Sequence, residues 1–172
     1  NMVRKHCEQL KGGGLLRLIA PARAHAFILS DVIGDSLDVI ASGPVSPDPA
    51  TFAEALRVMD KYGGAADSIR RHLQSANAET LKPDDPLLEL ASHTLIGSNA
   101  IAVQAAQASA ESMSFNVIQV ETGVQGEARE VGQRISALAR QWRESTRARP
   151  GCGIFGGETT VTVKGNGRGG RN

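Results

Sequence analysis

The chain has 172 residues, enough for one ordinary α/β domain or most of one with the start of another. Aromatic residues make up only 3% of it against 41% apolar, so a core would be built from Ala, Val, Ile and Leu. Nineteen basic residues against eighteen acidic ones leave a net charge of +1, which excludes a bulk field of the kind that draws nucleic acid or a membrane surface.

In chain order, Met2–Leu10 has helical spacing at Val3, Cys7 and Leu10 and breaks at Gly12-Gly13-Gly14. Leu15–Ala20 resumes a helix until Pro21. Ala24–Leu29 is a short apolar run expected to form a buried strand, emptying into a long loop that begins Ser30-Asp31-Val32-Ile33-Gly34-Asp35. Thr51–Tyr62 sets Phe52, Leu56 and Met59 on one helical face and stops at Gly63-Gly64. Ala65–Ala76 is a weaker helix, and Lys82–Pro86 is loop. A regular alternation follows: strand Thr94–Ile96, turn Gly97-Ser98-Asn99, an Ala-rich helix to Met113, strand Phe115–Val120, and helix Glu127–Arg143. Such alternation predicts βαβ units and a mostly parallel sheet covered by helices. Arg147–Gly151 reads as a linker. Cys152–Phe155 and Thr159–Val163, around Gly156-Gly157-Glu158, break the alternation and read as a hairpin or the entry to another sheet.

Cys7 and Cys152 belong to no metal-ligand or redox pattern and read as two thiols in a reducing compartment. No apolar run reaches the roughly 20 residues of a membrane span. With no secretory signal pattern, the cytoplasm is the expected compartment.

Ligands of parallel sheets gather at the carboxyl ends of the strands. That rule selects Asp31 and Asp35, a carboxylate pair able to hold Mg²⁺ or to accept a hydroxyl proton. A turn or capping aspartate is the alternative for either one. The same rule selects Gly97-Ser98-Asn99, where helix capping and anion binding are compatible. Lys164, Arg168 and Arg171, spread among four glycines, form a further anion-binding candidate or a flexible basic tail. Gly165-x-Gly167-x-x-Gly170 has dinucleotide-fingerprint spacing, but a β-rich run precedes it instead of a βαβ start. Arg4, Lys5 and Lys11 form a basic cluster ending at the first glycines. There Lys11 is able to reach an anion, whereas lysines and arginines on a helix are usually solvated. The four histidines show no ligand spacing, and no Walker A sequence is present.

Several segments carry a resemblance when taken together and in order. They are Val3-Arg4-Lys5-His6, Lys11-Gly12-Gly13, Ser30-Asp31-Val32 with Gly34-Asp35, and Val39-Ile40-Ala41-Ser42-Gly43-Pro44 with Pro47-Asp48-Pro49. Ile96-Gly97-Ser98-Asn99, Gly126-Glu127-Ala128-Arg129-Glu130-Val131, Gly156-Gly157-Glu158-Thr159-Thr160 and the terminal Gly169-Gly170-Arg171-Asn172 continue it. The series resembles the type-2 glycerate kinase family. The resemblance implies a Rossmann-like α/β/α sandwich with a mostly parallel sheet, followed by a smaller mixed α/β module, the MOFRL domain. On this reading residues 1–149 belong to the first domain and 150–172 open the second.

The resemblance further implies transfer of the ATP γ-phosphoryl group to the 2-hydroxyl of D-glycerate, with Mg²⁺, and no nucleic-acid or membrane partner. Asp31 is then the hydroxyl-activating or metal-associated carboxylate, with Asp35 beside it as a second metal candidate. Lys11 and Arg171 are candidates for the substrate carboxylate or the moving phosphoryl. Gly97, Ser98, Asn99 and Arg168 line the nucleotide cleft. Gly14 and Ser36 depart from the family pattern, where a basic residue and an aspartate are common. Both ends read as cuts within a protein more than twice this length, so the 172 residues alone are expected to be too incomplete to act. An NAD(P)H-dependent hydroxypyruvate reductase is the alternative enzyme, since relatives sometimes carry that label. An RNA-binding module acting through Arg168-Gly169-Gly170 is the non-enzymatic alternative, opposed by the scarcity of aromatics.

Overall fold

A computed structural model describes residues 1–63, 66–75, 78–145 and 150–167. The chain falls into two compact units, Asn1–Ile96 and Gly97–Asn172. The expected border at 149/150 lies inside the second.

In the first unit the elements are α1 (Met2–His6), α2 (Gly14–Ile19), β1 (Ala24–Leu29), α3 (Phe52–Tyr62), α4 (Asp67–Ser75) and β2 (Ala91–Gly97), with 3₁₀ turns at Ile40–Ser42 and Pro86–Leu90. α1 is shorter than the spacing suggested. The Glu8 carboxylate accepts from the amides of Leu10 and Lys11, taking them out of a helical ladder. β1 matches its expected span and is the hydrogen-bonded neighbour of β2. β2 begins three residues earlier than expected, where His25 Nδ1 and Ser92 Oγ lie 2.6 Å apart across the pair.

Two apolar clusters organise this unit. Leu16, Val45 and Leu81 form one, with Ala24 and Ala26 of β1 packed against it. Ala55, Met59 and Leu73 form the other, joining α3 and α4 with Met2 and Val3 of α1. A backbone web knits the loops beside them. Gly12 N donates to Ser42 O and Gly13 N to Gly43 O, while Leu81 N donates to Gly12 O and Asp48 N to Leu81 O. Gly13 has φ +78°, and a Cβ there would collide with Leu81, so position and conformation both demand glycine.

The second unit contains α5 (Asn99–Ser112), β3 (Asn116–Val124), α6 (Ala128–Ser145) and β4 (Gly151–Gly157). β4 runs parallel to β3, with Asn116 opposite Gly151 and Val124 opposite Gly157. The expected hairpin around Gly156-Gly157 is therefore corrected: α6 is the crossover of a β3–α6–β4 unit, and the alternation continues to Gly157. No strand covers 159–163. Thr160 makes one isolated parallel bridge with Glu127, where Ala128 N donates to Thr160 O at 2.8 Å. The glycine at 153 admits the Trp142 ring, which stacks on Phe155 with centroids 6.2 Å apart.

The fold is thus mixed α/β with parallel strands. The described strands pair as β1 with β2 and β3 with β4. Among the described residues no helix is long and apolar enough to cross a membrane.

Candidate active site

Asp31 follows the carboxyl end of β1. Its neighbours on both sides are fixed: Ser30 is buried, Val32 N donates to Ser30 Oγ at 3.2 Å, and Ser30 Oγ donates to Val32 O at 3.2 Å. The local bonds hold the backbone while Asp31 itself stays exposed. Such a carboxylate can meet a substrate hydroxyl or a phosphate-bound cation. Asp35 is half-buried and has φ +52°, with its amide donating to Val32 O at 3.1 Å. Asp is one of the few residues that tolerate this left-handed conformation, so the turn explains Asp35 without a ligand.

Among the described residues no group of three or more His, Cys, Asp or Glu side chains could hold a metal by itself. Mg²⁺ at phosphoryl-transfer sites uses one or two carboxylates and takes its other ligands from phosphate and water. Asp31 fits that sparse donor set.

Lys11 lines a cleft of about 610 Å³ with Lys5, His6, Arg17, His72, Glu79 and others. Its ammonium pairs with Glu8 at 3.1 Å. Partial desolvation would raise the Glu8 carboxyl, but Lys11 and the amides of Leu10 and Lys11 outweigh this and hold it below the usual range. Neither Asp31 nor Asp35 is among the residues lining that cleft.

Behind the cleft lies an ionic network that the sequence reading missed. Lys5 is only 4% exposed and pairs with Asp48 at 2.7 Å and Asp38 at 3.0 Å, Asp48 being fully buried. Asp48 Oδ1 also accepts from Ala50 N at 3.0 Å, while its Oδ2 is buried without a hydrogen-bond partner. His6 Nε2 lies 3.2 Å from Glu79 Oε2. Lys82 Nζ donates to Glu79, to Thr80 Oγ1 and to the carbonyls of Asp48 and Ala50. The available signal was helical offset: Lys5 and His6 stand three and four residues after Met2, on the face that packs inward.

In the second unit, Gly97 closes β2 and Ser98 caps α5, its Oγ accepting from Ile101 N at 3.3 Å. Of Ser98 and Asn99, either of which could have capped the helix, Ser98 is the cap. The Asn99 amide faces the end of β4. In the orientation that satisfies both its ends, Nδ2 donates to Gly156 O at 3.2 Å and Oδ1 accepts from Gly157 N at 2.8 Å. Its polar atoms are engaged within the protein, and this fixes the loop that a ligand at the carboxyl end of the sheet would meet. Arg168 and Arg171 lie outside the described residues.

Comparison with known proteins adds to this picture. A family model described as a domain of unknown function, DUF4147, matches residues 1–74. A D-glycerate 2-kinase of Thermotoga maritima is 40% identical over the whole of this chain and 40% of its own length. A crystal structure of a glycerate kinase from the same organism superposes with a TM-score of 0.78 at 41% identity, covering 99% of this chain and 40% of that one. A relative from Agrobacterium vitis, 37% identical over the full chain and 40% of its own length, carries the name hydroxypyruvate reductase. The chain spans about 40% of the length of these curated relatives.

Proposed function

We propose that this chain is part of a glycerate 2-kinase whose natural-length protein transfers the ATP γ-phosphoryl group to the 2-hydroxyl of D-glycerate, as its end-to-end similarity to such enzymes supports. The observation that carries the reading is the kinship from end to end, including the segment around Asp31, whose carboxylate is exposed on an anchored backbone at a strand's carboxyl end. Asp31 accepts the proton of the 2-hydroxyl as that oxygen bonds to the γ-phosphorus. The bond from phosphorus to the bridging oxygen breaks, and ADP leaves with the electron pair. Little covalent chemistry falls to the protein in such a transfer, so positioning and charge neutralisation dominate.

Asp31, with Asp35 the weaker candidate, is the residue that would hold Mg²⁺, which would supply charge neutralisation at the phosphates. Arg171 and Lys11 take the substrate carboxylate or the transferring group. A guanidinium fork suits either, whereas Lys11 would have to leave Glu8. Gly97, Ser98, Asn99 and Arg168 shape the nucleotide side. A MOFRL module opening in the segment 150–172 remains part of the proposal. Because β4 shares its sheet with β3, the change of module is better placed after Gly157 than at 149/150. ATP as phosphoryl donor suits the cytoplasm.

A coupled ADP assay on the natural-length protein with D-glycerate tests the reading. Turnover dependent on both substrates is expected, with kcat reduced at least ~100-fold by Asp31→Asn, in line with loss of a positioned general base. Oxidation of NADH with hydroxypyruvate, in the absence of glycerate-dependent ADP release, would overturn it in favour of the reductase.

A further inference from the structure

We propose that Lys5 is a positioning residue for this reaction: clamped between Asp48 and Asp38, it fixes the loop from Ser30 to Gly43 that presents Asp31. The consequence for catalysis rests on the kinase reading above. The clamp itself does not.

One jaw is immobile. Asp48 is fully buried, its amide donates to Leu81 O at 2.7 Å, and its Oδ1 takes both Lys5 Nζ and Ala50 N. The other jaw belongs to the loop. Asp38 is partly exposed and lies seven residues beyond Asp31, and its carboxylate takes Lys5 Nζ at 3.0 Å and the Ser36 hydroxyl at 2.6 Å. The ammonium therefore joins a fixed point of the core to the middle of the loop.

The loop needs such a restraint. Ala41 and Ser42 have left-handed φ values (50° and 64°), a conformation that such residues adopt only when their surroundings impose it. Besides the bonds of Gly12 and Gly13 to Ser42 and Gly43 at its far end, the loop is tied to the start of α1 by Asn1, which donates to Val39 O at 3.0 Å and accepts from Ser42 Oγ at 3.2 Å.

Charge makes the clamp directional. Without the ammonium, two carboxylates that now share one cation would face each other across the space it fills, and only the partly exposed Asp38 is free to retreat. Its retreat would draw the loop, and Asp31 with it, out of register with a substrate bound elsewhere. A residue that served the core alone would require only Asp48. The second, loop-borne carboxylate is the feature that assigns Lys5 a role toward the site.

Amide hydrogen exchange and steady-state kinetics on the natural-length protein test this with three variants: Asp38→Asn, Lys5→Met and Lys5→Arg. Asp38→Asn keeps the buried Lys5–Asp48 pair and so serves if Lys5→Met fails to fold. Exchange in residues 32–43 is expected to rise at least tenfold in Asp38→Asn while residues 55–62 of α3 stay at the wild-type rate. Its kcat should fall at least tenfold with KM for ATP within twofold, and Lys5→Arg should stay within threefold of wild type in loop exchange. Unchanged exchange at 32–43, or an equal rise in loop and helix as a purely structural role would give, overturns the clamp. Increased loop exchange with unchanged kcat overturns the positioning role. A wild-type protein with no activity on glycerate counts against the kinase reading, while the exchange comparison still decides the clamp.

Discussion

Glu79 illustrates how one side chain can serve several elements at once. Its carboxylate accepts from Phe52 N at 3.0 Å, from Lys82 at 3.2 Å and lies beside His6, whose other ring nitrogen is 2.8 Å from Met2 O. Burial would raise the Glu79 carboxyl, but the Phe52 amide, Lys82 and His6 together hold it below the ordinary glutamate range. Asp38 behaves alike, burial being outweighed by the Ser36 hydroxyl and the Lys5 ammonium. A carboxyl whose pKa is lower folded than unfolded contributes stability above its unfolded value, about 4, and loses it as pH falls through the folded value. Stability should therefore hold from neutral pH down to about 4.5 and decline below it. Urea midpoints measured between pH 3 and pH 8 check this: Glu79→Gln should lie below wild type at pH 7 and converge with it near the acid end. A gap that stays constant to pH 3 would show that the charge is not responsible. Beyond the helical offset that puts Lys5 and His6 on the inward face of α1, little of this network was legible in the sequence, because a Lys beside an Arg on a short helix has the composition of a solvated face. Burial of Lys5 depends on two aspartates 33 and 43 residues away. The position of Asp31 just past β1, by contrast, was legible, since the end of an apolar run fixes where a strand's loop begins.

Elements were legible where local chemistry defines them. α3 is one case: Thr51 Oγ1 accepts from Glu54 N at 3.2 Å and Glu54 Oε2 accepts from Thr51 N at 2.9 Å, a reciprocal cap that starts the helix where the apolar face begins. Thr51→Ala should cost about 1 kcal/mol in urea unfolding, and Thr51→Ser only a fraction of that. Equal losses for the two would locate the effect in the threonine methyl group instead of the cap. β4 shows the opposite situation. Its residues were identified correctly as β-forming, yet its partner was not, because Gly156-Gly157 has the composition of a hairpin turn. The glycines serve close approach. A Cβ on Gly156 would run into Val103 and the Asn99 amide, and one on Gly157 into the backbone of Val124. Composition reports that glycine is required, and it is silent on whether the requirement comes from a turn or a neighbour. Gly156→Ala should consequently displace Asn99 and lower stability by about 1–3 kcal/mol, the usual cost of overpacking. In that variant the Gly157 amide should exchange faster. Wild-type stability and exchange would show that the space is larger than the geometry indicates.

At the scale of the molecule, the apolar surface is distributed unevenly. β1 turns Ala24, Ala26 and Ile28 toward partial burial and His25, Phe27 and Leu29 outward, and Phe27 and Leu29 remain 69% and 75% exposed. Ile96, late in the neighbouring β2, is 58% exposed as well. A strand apolar on both faces has the composition of one covered on both sides, which is how the run Ala24–Leu29 reads from sequence. Here only one side is covered, by the cluster of Leu16, Val45 and Leu81. Exposed apolar strand surface beside unpaired strand edges drives association. The 172-residue chain, prepared by itself, is therefore expected to self-associate at micromolar concentration, with Phe27→Ser and Leu29→Thr together shifting it toward monomer in sedimentation velocity. The substitutions leave the inward-facing residues untouched, so helix content by circular dichroism should persist. The face also distinguishes surface chemistry from net charge. At +1 the chain lacks the self-repulsion that would oppose association, so added salt should change the monomer fraction little. If the wild-type chain sediments as a monomer throughout that range, the face is not the adhesive surface its composition implies. If association persists in the double variant and dissolves with salt, charged groups hold the copies together instead.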